Sequence, residues 1–188
     1  GVAVGDATGH GRPAALQARD ALVGLRMGIH EDQKIVKVFE KLNRIIHMSR
    51  LTSRYVSLFY MEVESNGQVV YINAGHVYPF HYKKQKDIFV PLTEGGIVLG
   101  PTSNATYGRG FVYLKPQDSI IAFSDGITEA KNLNGEDYGE KRVQNFLREH
   151  YDEYNAGQMV DRLLDDVANW SKDSEYTDDR TVVFVKKL

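Results

Sequence analysis

The chain has 188 residues, of which 42% are hydrophobic, and its formal net charge is −2. This is enough for one domain with a full core, and the charge gives no basic field that would attract nucleic acid. The absence of cysteine excludes disulfides, thiolate zinc sites and cysteine nucleophiles, and it fits a cytoplasmic location. No stretch approaches the ~20 apolar residues that span a bilayer, and no signal-peptide pattern opens the chain.

The first third of the chain is predicted to form a strand and two helices. Residues 1–6 form an apolar run that leads into a glycine-rich turn at 7–11. Helical spacing of apolar residues follows from Ala15 to Ile29, and a second apolar stripe predicts that this helix is buried on more than one side: Leu16, Val23 and Met27. A second helix carries one apolar face: Ile35, Phe39, Leu42 and Ile46.

The pattern then changes to strands. Residues 55–64 and 68–73 flank Ser65-Asn66-Gly67, which predicts a hairpin because Asn-Gly tolerates positive φ. Further strands are predicted at 77–82, 88–92, 111–114 and 119–124, and the lysine-rich segment 83–86 is interpreted as a solvated hairpin tip. Helical periodicity returns at 143–147 and 159–170, and a polar loop at 171–180 leads into a final strand at 181–185.

This order separates runs of helices from runs of strands. Such separation favours an α+β layered sandwich over a doubly wound parallel sheet. No internal repeat or low-complexity segment interrupts the pattern, so residues 1–188 are predicted to form a single domain.

Aspartates lie at the ends of three predicted strands. Asp6 closes the first strand, Asp125 follows the strand at 119–124, and Asp178-Asp179 precede the last one. Mg²⁺ and Mn²⁺ prefer carboxylate, carbonyl and water oxygens, and two such ions can share a carboxylate and activate a water that attacks phosphorus. The three acidic strand ends therefore indicate metal-dependent chemistry on a phosphate.

Simpler interpretations remain open at each of these positions. Asp6 could cap the helix near Gly11, and Asp178 and Asp179 could be solvated charges in a polar loop. His10 could be a ligand or an acid near the site, whereas His76 is interpreted as a residue that orients a turn. The remaining histidines are expected to be ordinary surface or helix-end residues: His30, His47, His81 and His150.

Six short motifs occur in a fixed order along almost the whole chain. They are GDATGHG at 5–11, NAGH at 73–76, GGIVLG at 95–100, SDGITEA at 124–130, YG at 138–139 and DDRT at 178–181. This ordered set resembles the bacterial serine phosphatases of the stage II sporulation protein E branch, within the metal-dependent protein phosphatase (PPM) superfamily.

The resemblance implies a four-layer αββα sandwich of two mainly antiparallel sheets flanked by helices, with two Mn²⁺ or Mg²⁺ ions at one edge. By matching position, the catalytic residues would be Asp6, Asp125 and Asp178. Asp6 would bridge the ions, Ala7 would offer its backbone carbonyl, and Asp125 would hold one ion. Asp178 would be the last ligand, with Asp179 as a weaker candidate beside it. The substrate-binding residues would be Gly9, His10 and Gly11.

The resemblance also implies a function in partner switching and sigma factor regulation. Metal-bound water would hydrolyse phosphoserine or phosphothreonine, without a phosphoenzyme, on an anti-sigma-factor antagonist with a STAS fold. Helices at 13–49 would receive an upstream sensor or regulatory domain, or form homodimer contacts. Family domains usually carry one or two earlier strands, so the domain is expected to be N-terminally incomplete and to be cytoplasmic, by itself or as part of a larger sensor protein.

Two alternatives share parts of this interpretation. One is a non-catalytic partner-binding regulatory module with the same fold. The other is a metal-dependent phosphodiesterase or nuclease, against which the absence of a basic groove pattern counts.

Overall fold

The computed structural model describes residues 1–9, 11–30, 34–49, 55–172 and 178–188. These residues divide into two compact units, one comprising Gly1–His76 and Thr93–Tyr113 and the other Val77–Leu92 and Leu114–Leu188. Each unit contains one β-sheet and its own hydrophobic core. Among the described residues, none of the helices combines the length and hydropathy that a membrane span requires.

The described residues of the first unit form five strands and two helices. The strands are β1 (Val2–Ala7), β2 (Val56–Val63), β3 (Gln68–Ala74), β6 (Gly95–Gly96) and β7 (Gly110–Tyr113), and the helices are α1 (Gly11–His30) and α2 (Ile35–Met48). Strand β2 lies antiparallel between β1 and β3, while β3 also pairs with β7 antiparallel and with β6 in parallel. The core joins α2 to this sheet through Phe39, Leu42, Leu58 and Ile72.

In the second unit, the part of the chain that the structure describes forms four strands and three α-helices. The strands are β4 (Phe80–Lys83), β5 (Ile88–Pro91), β8 (Ser119–Phe123) and β9 (Val182–Lys186), and the helices are α3 (Asp125–Thr128), α4 (Gly139–His150) and α5 (Ala156–Trp170). The sheet order is β5-β4-β8-β9, with every pairing antiparallel. Helices α4 and α5 contribute Val143, Leu147 and Leu163 to the core.

Both predicted hairpins are present. The chain turns at 64–67, where the Gly67 amide donates to the Glu64 carbonyl at 2.9 Å and Gly67 has a φ of 97°. In the Asn-Gly pair, Gly67 has a positive φ and Asn66 does not. Residues Lys84–Lys86 form a 3-10 turn between β4 and β5, so the lysine-rich segment is a hairpin tip as predicted.

Helix α1 buries one face, and the prediction of burial on more than one side is wrong for it. The buried residues are Ala14, Gln17, Ala21, Leu25 and Gly28. The second apolar stripe faces solvent instead, with Leu16 41%, Val23 48% and Met27 60% exposed. The close contact with α2 explains this choice of face. A Cβ on Gly28 would lie 2.6 Å from Val38 Cγ1, so a side chain does not fit at this position of the buried face.

The predicted α+β class with two mainly antiparallel sheets is confirmed. The one parallel pairing among the described strands joins β3 to the two glycines of β6. That strand and the four-residue helix α3 were not predicted, since both are too short to show a hydrophobic period. The assignment of residues 1–188 to a single domain stays a prediction.

Candidate functional site

Asp125 and Asp178 lie on two backbone segments of the second unit that are bonded to each other. Strands β8 and β9 pair up to Phe123 and Val182, immediately before the first segment and after the second. The Ser124 amide donates to the Thr181 carbonyl at 3.0 Å, and the Thr181 amide donates to Ser124 Oγ at 2.9 Å. The end of β8 and the approach to β9 therefore form one continuous edge that carries both aspartates.

The contact between these segments depends on Ser124 and Gly126. Ser124 Oγ donates to the Asp179 carbonyl at 2.8 Å, and a Cβ on Gly126 would lie 2.3 Å from the same carbonyl oxygen. Because Gly126 has no Cβ, the backbone of Asp179 can approach it closely. Ser124 was not singled out from the sequence, although a small polar residue at a strand end is a weak sign of such a link.

The carboxylates of Asp125 and Asp178 differ in exposure, but each accepts a hydrogen bond from the backbone amide of the next residue. Asp125 opens helix α3, is half-buried, and its Oδ1 accepts the Gly126 amide at 3.0 Å. Asp178 is exposed, and its Oδ1 accepts the Asp179 amide at 2.8 Å. Among the described residues neither forms an ion pair. Two carboxylates oriented by backbone amides on adjacent segments are suitable ligands for a hard divalent cation.

Asp6 lies in the first unit, inside strand β1 rather than beyond its end. Its register partner on β2 is Ser57, and its side chain is exposed. The strand continues through Ala7, and the Thr8 amide then donates to the Tyr55 carbonyl at 2.9 Å. Because α1 begins only at Gly11, Asp6 does not occupy the residue position that immediately precedes this helix.

The substrate-binding candidates lie in the turn between β1 and α1. Gly9 and Gly11 are exposed and have φ values of 95° and 75°, so both positions use backbone conformations that favour glycine. His10 lies outside the described residues. The role of this turn in binding a substrate stays a prediction.

His76 has the structural role that was predicted for it. It is buried, its amide donates to Asn73 Oδ1 at 2.7 Å, and Asn73 Nδ2 donates to the His76 carbonyl at 3.1 Å. Its ring Nδ1 lies 2.9 Å from Ser57 Oγ. These bonds close the turn after β3 and connect it to β2 at the register position of Asp6.

The expectation for the other histidines holds for three of them and is wrong for His81. His30 and His47 are exposed at helix ends and His150 is half-buried at one. His81 is 2% exposed, and its Nε2 lies 3.2 Å from Asp118 Oδ2. Burial lowers the pKa of His81 and outweighs Asp118, whose hydrogen bond and charge raise it. The alternation of a half-exposed strand misleads here, since Phe80, His81 and Tyr82 of β4 are all buried.

The described residues do not contain a group of three or more histidine, aspartate or glutamate side chains arranged to hold a metal ion. Asp125 and Asp178 belong to one unit and Asp6 to the other. The convergence of the three on a binuclear site, with Ala7 and Asp179 beside them, therefore stays a prediction.

Comparison with known proteins identifies the class to which this fold and these motifs belong. The sequence model of the family described as Stage II sporulation protein E (SpoIIE) matches residues 1–187. The chain therefore belongs to the SpoIIE family, which confirms the resemblance drawn from the six motifs.

Individual relatives agree with this assignment. The chain is 30% identical over 194 residues to the phosphoserine phosphatase RsbU of Bacillus subtilis, covering 99% of this chain and 55% of RsbU. It thus spans about half the length of this curated relative. Among solved structures, the SiaA-PP2C domain of Pseudomonas aeruginosa superposes with a TM-score of 0.78 at 18% identity, covering 98% of this chain and 74% of that one.

A second solved structure shares the fold at lower identity. The catalytic domain of the serine threonine protein phosphatase PstP, in complex with two manganese ions, superposes with a TM-score of 0.70 at 11% identity, covering 98% of this chain and 86% of that one. At such identities these likenesses show the fold, which is that of PP2C phosphatase domains.

Proposed function

We propose that the protein is a metal-dependent protein serine/threonine phosphatase that hydrolyses phosphoserine or phosphothreonine. The observation that carries this proposal is the bonded edge that presents Asp125 and Asp178 together at the ends of β8 and β9. Membership of the SpoIIE family supports the same chemistry, as does the name of the relative RsbU, a phosphoserine phosphatase.

The residues that would hold two Mn²⁺ or Mg²⁺ ions are Asp6, Ala7 through its carbonyl, Asp125 and Asp178. The PstP structure, which has the same fold and holds two manganese ions, supports the number and kind of ions proposed. When bound, such ions supply Lewis-acid chemistry, which lowers the pKa of water and neutralises the charge that develops on phosphorus.

The chain itself would contribute positioning. Strand pairing holds Asp6 in register with Ser57, and the Ser124 and Gly126 contacts hold the Asp178 segment against Asp125. Rigid supports of this kind keep ligands at productive distances without loss of entropy on binding. Asp179 is joined to Ser124 through its carbonyl, so its side chain is assigned a smaller role than that of Asp178. Gly9, His10 and Gly11 would contact the phosphorylated substrate.

The physiological substrate would be a phosphorylated anti-sigma-factor antagonist of the STAS fold. In this proposal the domain acts in the cytoplasm, by itself or within a larger sensor protein. An upstream regulatory domain or a second copy would contact the helices at 13–49. The name of the relative RsbU supports a phosphoserine substrate, and the resemblance to the stage II sporulation protein E branch supports the rest of this setting.

The activity is tested by phosphate release from a phosphoserine peptide and from a phosphorylated STAS protein, with Mn²⁺ and with a chelator. Asp6→Asn, Asp125→Asn and Asp178→Asn should each lower kcat/KM by about 100-fold or more, because each removes a ligand charge. Asp179→Asn should lower kcat/KM by a smaller factor. The matched control is Asp165→Asn on α5, whose side chain is 68% exposed.

Two outcomes would contradict the proposal. Full activity of Asp6→Asn and Asp125→Asn would exclude the metal mechanism. If the protein shows no turnover and its binding to a partner survives the chelator, the protein is instead a partner-binding regulatory module. Preference for nucleotide diesters over the phosphoserine peptide would identify a phosphodiesterase.

A further inference from the structure

Six lysines from three separate parts of the sequence gather at one end of the second sheet. We name this surface the lysine end, and it consists of Lys83, Lys84, Lys86, Lys115, Lys186 and Lys187. Lys83 closes β4, Lys84 and Lys86 form the hairpin tip, Lys115 precedes β8, Lys186 ends β9, and Lys187 follows it. Register places Tyr82, Ser119 and Lys186 in one row across three strands, which sets these segments side by side.

A single buried residue, Asp118, organises this gathering. It is 3% exposed, and its Oδ1 accepts the Lys84 amide at 3.2 Å while its Oδ2 accepts the Lys115 amide at 3.1 Å. Its carbonyl accepts the Lys187 amide at 2.9 Å. The backbones of three lysines are thus fixed around one residue, so these backbones cannot separate without loss of partly buried hydrogen bonds.

Tyr151 contacts the ammonium groups of two lysines of this surface. The Lys84 and Lys186 Nζ atoms lie 4.8 and 4.2 Å from the centre of its ring, and Lys186 Nζ also donates to the Tyr151 carbonyl at 3.1 Å. The ring is fully buried and its hydroxyl donates to the Gln117 carbonyl at 2.7 Å. Cation–π contacts with a fixed ring reduce the freedom of the lysine side chains, which lowers the entropy lost on binding an anion.

Little of this positive charge is neutralised locally. Asp152 pairs with Lys84 at 2.8 Å, and Lys84 lowers the pKa of the Asp152 carboxyl. Asp87 pairs with Arg148 at 2.9 Å. Among the described residues, four other lysines of this surface form no ion pair: Lys83, Lys86, Lys115 and Lys186. The lysine end is therefore a local positive surface on a chain of net charge −2.

This surface is separate from the proposed metal site. Strand β8 runs from Ser119 at the lysine end to Phe123, after which Asp125 follows, and β9 runs back to Lys186. Five strand residues span about 17 Å, so the lysines lie at the opposite end of these strands from Asp125. They cannot contact a phosphate bound there.

We propose that the lysine end is a docking surface for an acidic segment of a partner protein. Lysine ammonium groups are point charges that suit dispersed carboxylates, whereas nucleic acid is typically read by arginine forks and exposed aromatic rings. The rings of Tyr82 and Tyr151 at this end are buried and offer no stacking surface. Strand β8 lies between β4 and β9, which places the backbones of Lys83 and Lys186 about 10 Å apart, a spacing that acidic residues about three positions apart in an extended peptide would match.

The test is direct binding of a labelled glutamate-rich peptide to the full chain, with the same peptide carrying glutamine as the control ligand. The variant K83E/K86E/K115E reverses three lysines that form no ion pair, and circular dichroism verifies its folding. The matched control K34E/K141E/K172E makes the same change in charge at three exposed lysines elsewhere. Anionic phosphatidylserine vesicles and duplex DNA are the competing probes.

We expect the wild-type protein to bind the glutamate peptide, and salt to weaken this binding by screening. Reversal at the lysine end should weaken it by about tenfold or more, and the control variant by less than about twofold. Absence of binding at low salt, or equal weakening by both variants, would overturn the proposal. Tighter binding of vesicles or DNA than of the peptide, lost in the same variant, would also overturn it and assign the surface to a membrane or a nucleic acid. None of these measurements depends on phosphatase activity.

Discussion

Gly126 shows how one missing Cβ permits the approach of the Asp125 and Asp178 segments. A Cβ at this position would lie 2.3 Å from the Asp179 carbonyl oxygen, a backbone atom that cannot move without displacing the whole segment. We expect Gly126→Ala to lower the free energy of unfolding by about 1–3 kcal/mol, the usual range for overpacking. Urea denaturation measures the change.

Gly157→Ala is the control for this prediction, because it adds the same methyl group to helix α5. Its nearest neighbour would be Asn155 Oδ1 at 3.6 Å, an ordinary contact. That variant should be neutral or stabilising by up to about 1 kcal/mol, since alanine has the higher helix propensity. Equal stability of the two variants would show that the 124–126 and 178–181 segments are not in tight contact.

His81 makes the stability of the protein dependent on pH. Burial lowers the pKa of its imidazole below the ordinary value of 6.5, so the folded state favours the neutral ring. The unfolded state then binds the proton first as pH falls. Stability is complete above pH 6.5 and decreases below it, by at most about 1.4 kcal/mol per pH unit for a single proton.

This sign is tested by measuring denaturation midpoints from pH 7.5 to pH 5.5, a range of about two pH units around the ordinary pKa of histidine. His81→Gln should flatten the dependence, whereas His30→Gln at an exposed helix end should leave it unchanged. A steeper loss of stability in His81→Gln would show that another group is responsible.

At the scale of an element, helix α1 shows that an apolar side chain is not always a buried one. Leu25 is 3% exposed and belongs to the core of the first unit, whereas Met27 is 60% exposed. Leu25→Ala should cost about 2–5 kcal/mol through lost burial and a cavity. Met27→Gln should change stability by less than about 0.5 kcal/mol. A large loss in Met27→Gln, measured by thermal unfolding of the isolated chain, would show that the outer stripe is buried.

The elements also show where sequence patterns are sufficient. The helical period of α2 correctly marks Ile35, Phe39, Leu42 and Ile46, all of which are buried. The pattern fails on α1 because the buried face coincides with neither predicted stripe, and it includes Gly28, whose close contact with Val38 leaves no room for a Cβ. The choice of buried face depends on a partner helix and so has no local signal.

At the scale of the whole molecule, the proposed metal site should couple cation binding to folding. A ligand that binds only the folded state stabilises it by about 2.7 kcal/mol at a concentration of 100 Kd. Mn²⁺ should therefore raise the Tm of the protein, and Asp125→Asn should remove most of this increase. Asp165→Asn is the control, and an equal increase in Asp125→Asn would indicate binding elsewhere.

The candidate site was partly predictable, because its motifs are contiguous in sequence. Asp125 and Asp178 were identified from strand ends, and β8–β9 pairing does bring their segments together. Ser124 was missed because its role depends on the Asp179 carbonyl, 55 residues further along the chain. The same holds for His81 and Asp118, which are 37 residues apart.

The sequence by itself determined the order and type of the long elements, the two hairpins, the α+β class and the SpoIIE family motifs, since hydrophobic periods and turn residues act over a few neighbours. The tertiary structure alone decided which face of α1 is buried, that His81 lies inside the second unit, and that Lys115 and Lys187 join the hairpin lysines around Asp118. These outcomes depend on packing and hydrogen bonds between segments far apart in the chain, where no local pattern specifies the partner.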